Sequence, residues 1–76
     1  MPRYFFNIKD QPAPDKEGTA LADLSAVRLA ALELTGETLK HEGEAFWRTG
    51  RWHLDVSDES GAVLFSIEVA ATGSEG

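Results

Sequence analysis

One short segment of the chain carries three residue types of acid–base and nucleophilic chemistry at alternate positions: His53, Asp55 and Ser57. Alternation is the period of a β-strand, so the three side chains are expected on one face of it. Residues two apart on a strand lie about 6–7 Å from each other. That spacing is too long for direct hydrogen bonds without help from long side chains. The pattern therefore favours a solvated polar face over a catalytic triad.

Pro2 offers a different chemistry. If Met1 is removed, a desolvated prolyl amine with a lowered pKa is a competent general base. Small tautomerases resemble this chain in size, in the Met-Pro start and in the order strand, helix, strand. That resemblance implies that Arg28, Arg48 or Arg51 would polarise the substrate, but tautomerases build a parallel strand pair, whereas this chain ends in an antiparallel pattern. The alternative is that Pro2 only begins an edge strand.

Metal and phosphate chemistry find little support in the sequence. His41, Glu42 and Glu44 are close together, but no ligand spacing recurs, and the chain has only two histidines and no cysteine. The glycines are scattered singly, so no glycine-rich phosphate loop is present. We predict neither a cofactor nor a metal, and an exposed helix end around His41.

A locally basic, aromatic segment contains Trp47, Arg48, Arg51 and Trp52. Tryptophan with arginine is typical of protein-interface hot spots and of base-stacking surfaces. The same residues also fit a tight hairpin turn at Thr49-Gly50 that places the two tryptophans opposite each other above the core. Both interpretations remain open from the sequence, which leaves undecided whether the tryptophans lie in the core or on the surface.

Length and charge limit the classes of function. The 76 residues fit one domain, predicted over residues 1–70, with residues 71–76 as a flexible tail. A net charge of −6 argues against direct binding of nucleic acid, although it suits an acidic inhibitor that mimics nucleic acid. No apolar run approaches the roughly 20 residues of a membrane span, and no signal peptide is recognisable. We expect a cytoplasmic protein without membrane attachment.

The hydrophobic pattern supplies the elements that must position these residues. Residues 3–9 alternate as a strand, a loop with Pro12 and Pro14 follows, and Asp23 is the best helix N-cap in the chain. Residues 24–40 favour a helix that Gly43 ends. Residues 51–57 and 63–69 alternate around a turn that contains Gly61, as in a β-hairpin. The prediction is an α+β fold: an antiparallel sheet of three to four strands with one long helix packed on one face.

The apolar residues on the inner faces of these elements form the predicted core. It comprises Tyr4, Phe6, Ile8, Leu24, Val27, Ala31, Leu34, Trp52, Leu54, Val56, Phe65 and Ile67. Gly36 lies inside the helix, where it is explained by close approach to another backbone. One helix covers only one face of a sheet, so Phe5, Leu29 and Leu64 are candidates for an exposed apolar patch.

Four segments resemble one known family. They are residues 1–6 (Met-Pro-Arg-Tyr-Phe-Phe), 15–19 (Asp-Lys-Glu-Gly-Thr), 21–24 (Leu-Ala-Asp-Leu) and 56–64 (Val-Ser-Asp-Glu-Ser-Gly-Ala-Val-Leu). In this order, and over nearly the whole chain, the sequence resembles a family of small uncharacterised bacterial proteins described as a domain of unknown function. The resemblance implies a free-standing bacterial domain, and it carries no activity, catalytic residue or ligand.

The sequence as a whole favours a non-enzymatic module that binds another protein or a second copy of itself. The predicted interaction surface comprises Phe5, Leu29, Trp47, Arg48, Arg51 and Leu64. The first alternative is an N-terminal-proline enzyme of the tautomerase type, and the second is the acidic inhibitor.

Overall fold

A computed structural model of the chain describes residues 1–11 and 13–73. Its elements are β1 (Arg3–Ile8), β2 (Thr19–Ala20), α1 (Leu24–His41), α2 (Gly43–Thr49), β3 (Arg51–Ser57) and β4 (Val63–Ala70). The four strands form one antiparallel sheet in the order β2-β1-β3-β4. The predicted α+β fold, with up to four antiparallel strands and one long helix, is confirmed.

The sheet has one face under α1 and one face open. Val56 pairs with Phe6 of β1 and with Phe65 of β4, and these residues belong to the side that packs under the helix. Residues at the intervening positions, such as Asp55 and its partner Ser66, point to the open face because side chains alternate along a strand. A register shift between Val56 and Ser57 disturbs the β3–β4 pairing near its end.

The core lies between α1 and the two central strands. Its fully buried residues are Val27, Ala31, Leu54 and Val56. Eight half-buried residues pack around them: Tyr4, Phe6, Ile8, Leu21, Leu34, Trp52, Phe65 and Ile67. The predicted core is confirmed apart from Leu24, which is 39% exposed because it is the first residue of α1. Leu21, just before the helix, packs on the core instead.

Helix α1 begins where the capping signal places it. The Asp23 carboxylate accepts a hydrogen bond from the Ala26 amide at 2.9 Å, which satisfies one of the open donors of the first turn. The helix ends at His41, and the amide of Glu42 donates to the carbonyl of Thr38. Gly43 was predicted to stop the helix, whereas it is the first residue of α2.

The hairpin turn predicted around Thr49-Gly50 is wrong. Residues 43–49 form α2, and Gly50 ends that helix in the left-handed conformation, with φ 71° and its amide 2.6 Å from the Phe46 carbonyl oxygen. A left-handed glycine terminates helices as readily as it turns hairpins, so Gly50 alone does not separate the two structures. Trp47 and Trp52 are therefore not cross-strand partners.

The loop after β1 folds back onto that strand through Asp15. Its carboxylate accepts hydrogen bonds from the amides of Phe6 and Gly18, each at 3.0 Å. Its own amide donates to the side-chain oxygen of Asn7 at 2.8 Å. Asp15 thereby provides an acceptor for a β1 amide that lies beyond the short pairing with β2. The same bonds hold the loop at Gly18 against the ring of Phe5. Of the two loop prolines, Pro12 lies outside the described residues.

Two further expectations concern Gly36 and the chain end. Among residues 1–11 and 13–73, no heavy atom outside the helix's own backbone and the two neighbouring residues lies within 4 Å of a Cβ built on Gly36. The other backbone expected to approach Gly36 is therefore not found in the described part of this chain. Ala71 donates its amide to the Gly50 carbonyl, and residues 74–76 of the predicted tail lie outside the described residues. None of the helices described has the length and hydropathy needed to cross a membrane.

Candidate interaction surface and polar cluster

Four polar side chains meet on the open face of the sheet, and we call His53, Asp55, Ser66 and Glu68 the polar cluster. The strand register places His53 opposite Glu68 and Asp55 opposite Ser66. His53 Nε2 lies 2.7 Å from Asp55 Oδ1, and its Nδ1 lies 3.1 Å from Glu68 Oε2. The Ser66 hydroxyl donates to the same Asp55 oxygen at 2.5 Å. The four side chains therefore form one continuous hydrogen-bonded chain across β3 and β4.

The polar cluster shifts the protonation of its members. Hydrogen bonds to Asp55 first and Glu68 second raise the pKa of His53 above its usual 6.5. Hydrogen bonds from Ser66 first and His53 second lower the pKa of Asp55 below its usual 3.8. Because both ring nitrogens face carboxylates, the arrangement favours the doubly protonated, cationic imidazole.

The sequence indicated that His53 and Asp55 are too far apart for a direct hydrogen bond without help from long side chains, and the imidazole provides that reach. The two side chains lean toward each other along β3, and the imidazole spans the gap. Ser57 makes no contact with this pair among the hydrogen bonds described, and the hydroxyl of the cluster comes from Ser66 on the neighbouring strand. Ser66 and Glu68 also stand at alternate positions, on β4. Aligning the polar positions of β3 with those of β4 is the sequence signal that would have found them.

The geometry of the polar cluster does not resemble a nucleophilic triad. A triad needs an imidazole nitrogen that can accept the proton of the nucleophile. Here both His53 nitrogens face carboxylates, and Ser66 donates to Asp55 rather than to His53. Within residues 1–11 and 13–73, no group of three or more His, Asp or Glu side chains could hold a metal ion. The cluster ties two strands together and keeps the open face polar.

A groove of about 330 Å³ lies beside the polar cluster at one end of the sheet. Its walls include the basic side chains of Lys9, Arg51 and His53 and the acidic side chains of Asp10 and Glu68, so charges of both signs line it. Trp52 also lines it, and the indole Nε1 of that residue is buried with no hydrogen-bond partner among the described residues. This mixed lining does not indicate one class of ligand.

Pro2 and the arginines do not converge. Pro2 is exposed and lines a shallow groove with Asp58 and Glu59, at the end of the sheet where β3 finishes. Arg48 and Arg51 flank Gly50, where β3 begins. Six residues of strand at about 3.3 Å each separate the two ends. Arg3 lines the same groove, where the two acidic residues outnumber it, and Arg28 is exposed on α1. The exposed Pro2 therefore does not supply the desolvated amine and the cationic pocket that the tautomerase resemblance implies.

The six residues of the predicted interaction surface lie on five different elements. The exposed side-chain fractions are 63% for Leu29, 72% for Trp47 and 41% for Leu64. Phe5 is half-buried against the loop at Gly18, so it is not part of an open patch. Arg48 and Arg51 are exposed at the end of α2 and the start of β3, and Leu64 lines the Pro2 groove.

The outer side of α1 carries an apolar stripe. Leu29, Leu32 and Gly36 follow one another at spacings of three and four residues, which places them along one side of the helix. We call these three residues the outer stripe. Leu32 is 60% exposed, whereas Val27, Ala31 and Thr35 are the buried residues of α1. The predicted interaction surface included Leu29 but not Leu32.

The comparisons with known proteins identify a family of unknown function. Neither the curated proteins nor the solved structures provide a match. A comparison with protein families matches residues 3–70 to a domain of unknown function, DUF6894, which confirms the resemblance to a domain-of-unknown-function family. Because this match spans all six secondary-structure elements, the chain belongs to the DUF6894 family.

Proposed function

We propose that this protein is a non-enzymatic interaction module that binds protein through the outer stripe of α1. The observation that carries the proposal is the exposure of Leu29 and Leu32, at 63% and 60%, on the side of the helix away from the core. Burying a fully exposed leucine side chain in a protein interface is favourable by about 1.5–3 kcal/mol. Leu29 and Leu32 lie one helical turn apart, and Gly36 lies one turn further along the same side. Together they form an apolar surface that a second protein can cover.

The other surfaces support this choice by contrast. The open sheet face carries the polar cluster, whose hydrogen bonds are satisfied within the chain. Phe5, the aromatic residue of that face, is half-buried against the loop at Gly18. The groove beside Arg51 is lined by charges of both signs. Trp47 on α2 and Val63 on β4 are also exposed, but they lie on separate elements, whereas Leu29 and Leu32 lie one turn apart on one side of α1.

A photo-reactive amino acid at position 29 tests the proposal inside the native host. The matched control places the same amino acid at Glu37, which is exposed on α1 but lies away from the outer stripe. The proposal predicts protein adducts from position 29 that are absent from position 37, and that disappear when Leu32→Glu is added to the same chain. Equal adducts from both positions, or none from position 29, would contradict it.

A further inference from the structure

We propose that the protein covering the outer stripe is a second copy of this chain, with the two α1 helices packed side by side and parallel. This inference rests on the proposed function, because it names the occupant of the same surface. It follows from three features of α1: the spacing of the stripe, the open space at Gly36, and the charges on the two flanks of the stripe.

The spacing fits a helix pair. Ser25, Leu29, Leu32, Gly36 and Leu39 follow one another at alternating intervals of four and three residues, as do the a and d positions of a coiled-coil seam. The open surface at Gly36 lets a neighbouring backbone approach closely. Such an approach explains a glycine inside α1 that nothing within the chain explains, since glycine there costs about 1 kcal/mol relative to alanine.

The charges favour a second copy. Helix α1 carries Arg28 and Lys40 against Glu33 and Glu37, so it is electrically neutral in a chain of net charge −6. Two copies that meet along α1 therefore bring together the part of the molecule where like-charge repulsion is smallest. The acidic excess lies in the rest of the chain.

The flanking charges also select the orientation of the pair. Arg28 lies on one flank of the outer stripe, and Glu33, five residues later, lies on the other flank. In a parallel pair these are the g and e positions that face each other, so each Arg28 meets the Glu33 of the other copy, and the contact forms twice. In an antiparallel pair the flanks that face each other are alike, so the flank with Arg28 faces the same flank of the other copy, and the contact between Arg28 and Glu33 is not made.

Charge reversal tests the pairing. Arg28→Glu and Glu33→Arg should each raise the dimer dissociation constant by about tenfold, because two attractive contacts become repulsive. The double variant Arg28→Glu/Glu33→Arg restores both contacts and should return the dissociation constant to the wild-type value. Sedimentation velocity over a wide concentration range measures all four proteins. A double variant weaker than either single variant would overturn the proposed contact.

Cross-linking tests the orientation, and the absence of cysteine from the chain makes single-cysteine variants unambiguous. In a parallel pair the two Ser25 positions are neighbours, whereas antiparallel registers that place Leu29 opposite Leu29 or Leu32 of the other copy separate them by about 12 Å or more along the axis, at 1.5 Å per residue. A short bismaleimide linker should join Ser25→Cys into dimers and leave the control Glu37→Cys monomeric. Absence of linkage at Ser25→Cys in a protein that sediments as a dimer would overturn the parallel arrangement.

These outcomes separate the two proposals. A chain that stays monomeric at every concentration, but gives protein adducts specific to position 29, overturns the second-copy inference and leaves the proposed function standing. A monomeric chain without such adducts overturns both.

Discussion

The backbone of Gly18 lies directly against the ring of Phe5. A Cβ atom built on Gly18 would stand 2.8 Å from Phe5 Cε2 and 3.0 Å from the Tyr4 carbonyl oxygen. Gly18 also has a φ of +71°, in the left-handed region that favours glycine. The contact explains why Phe5, the apolar residue that sequence analysis left on the open face, is half-buried.

This contact predicts that Gly18→Ala destabilises the fold more than a matched change at Gly61. Gly61 also has a positive φ, of +90°, but open space surrounds its Cβ position. Gly61→Ala should therefore cost only the backbone term of about 1–2 kcal/mol. Gly18→Ala should cost more, because its methyl group must displace Phe5. Urea unfolding measures both, and equal losses would show that the close packing on Phe5 is absent in solution.

The polar cluster predicts a pH-dependent contribution to stability. Because the pKa of His53 is raised above 6.5, its contribution is complete below that pH and is lost as the pH rises through the folded-state value. Because the pKa of Asp55 is lowered below 3.8, its contribution is present above that pH and is lost on acidification. The polar cluster therefore contributes most to the free energy of unfolding between about pH 3.8 and pH 6.5.

His53→Gln tests this window. The difference in free energy of unfolding between wild type and His53→Gln should be larger at about pH 5.5 than at about pH 9. Glu68→Gln should remove only part of the pH dependence, because the hydrogen bond to Asp55 makes the larger contribution to the shift. A difference that is the same at both pH values would exclude the cationic imidazole between the two carboxylates.

The two tryptophans should report different environments. Trp47 is 72% exposed, whereas Trp52 packs against the core and its indole nitrogen is buried. The variant Trp52→Phe, which retains only Trp47, should emit at longer wavelength and be quenched strongly by iodide. Trp47→Phe, which retains only Trp52, should emit at shorter wavelength and be protected. Both variants should behave alike in urea, and equal quenching of the folded proteins would contradict the arrangement of α2 and β3.

The sequence predicts most of the fold because each element carries a local signal. Alternation identifies β1, β3 and β4, and Asp23 identifies the start of α1 as a side-chain acceptor for the first turn. Helix α2 escaped prediction because its ending glycine, Gly50, gives the same local signal as a hairpin turn. Whether Gly50 ends a helix or turns a hairpin depends on the contacts of residues 43–49 with the rest of the fold, and the local sequence does not show those contacts.

The candidate sites were harder to predict, because they depend on contacts between elements. The sequence predicted the exposure of Leu29, whereas Leu32, which is exposed to nearly the same extent, was not among the predicted surface residues. In the polar cluster, the partners of His53 and Asp55 come from β4, and the strand register decides which residues meet. Such partners follow from the sequence only once the pairing of β3 with β4 is known.

Sedimentation equilibrium of wild type, Leu29→Glu and Leu64→Glu tests the central claim most directly. Both variants place a glutamate at an exposed leucine, one on the outer stripe and one on β4. The account predicts a concentration-dependent dimer for wild type and Leu64→Glu, and a folded monomer for Leu29→Glu. A dimer that persists in Leu29→Glu but is lost in Leu64→Glu would contradict it, and would move the interaction surface from the helix to the sheet.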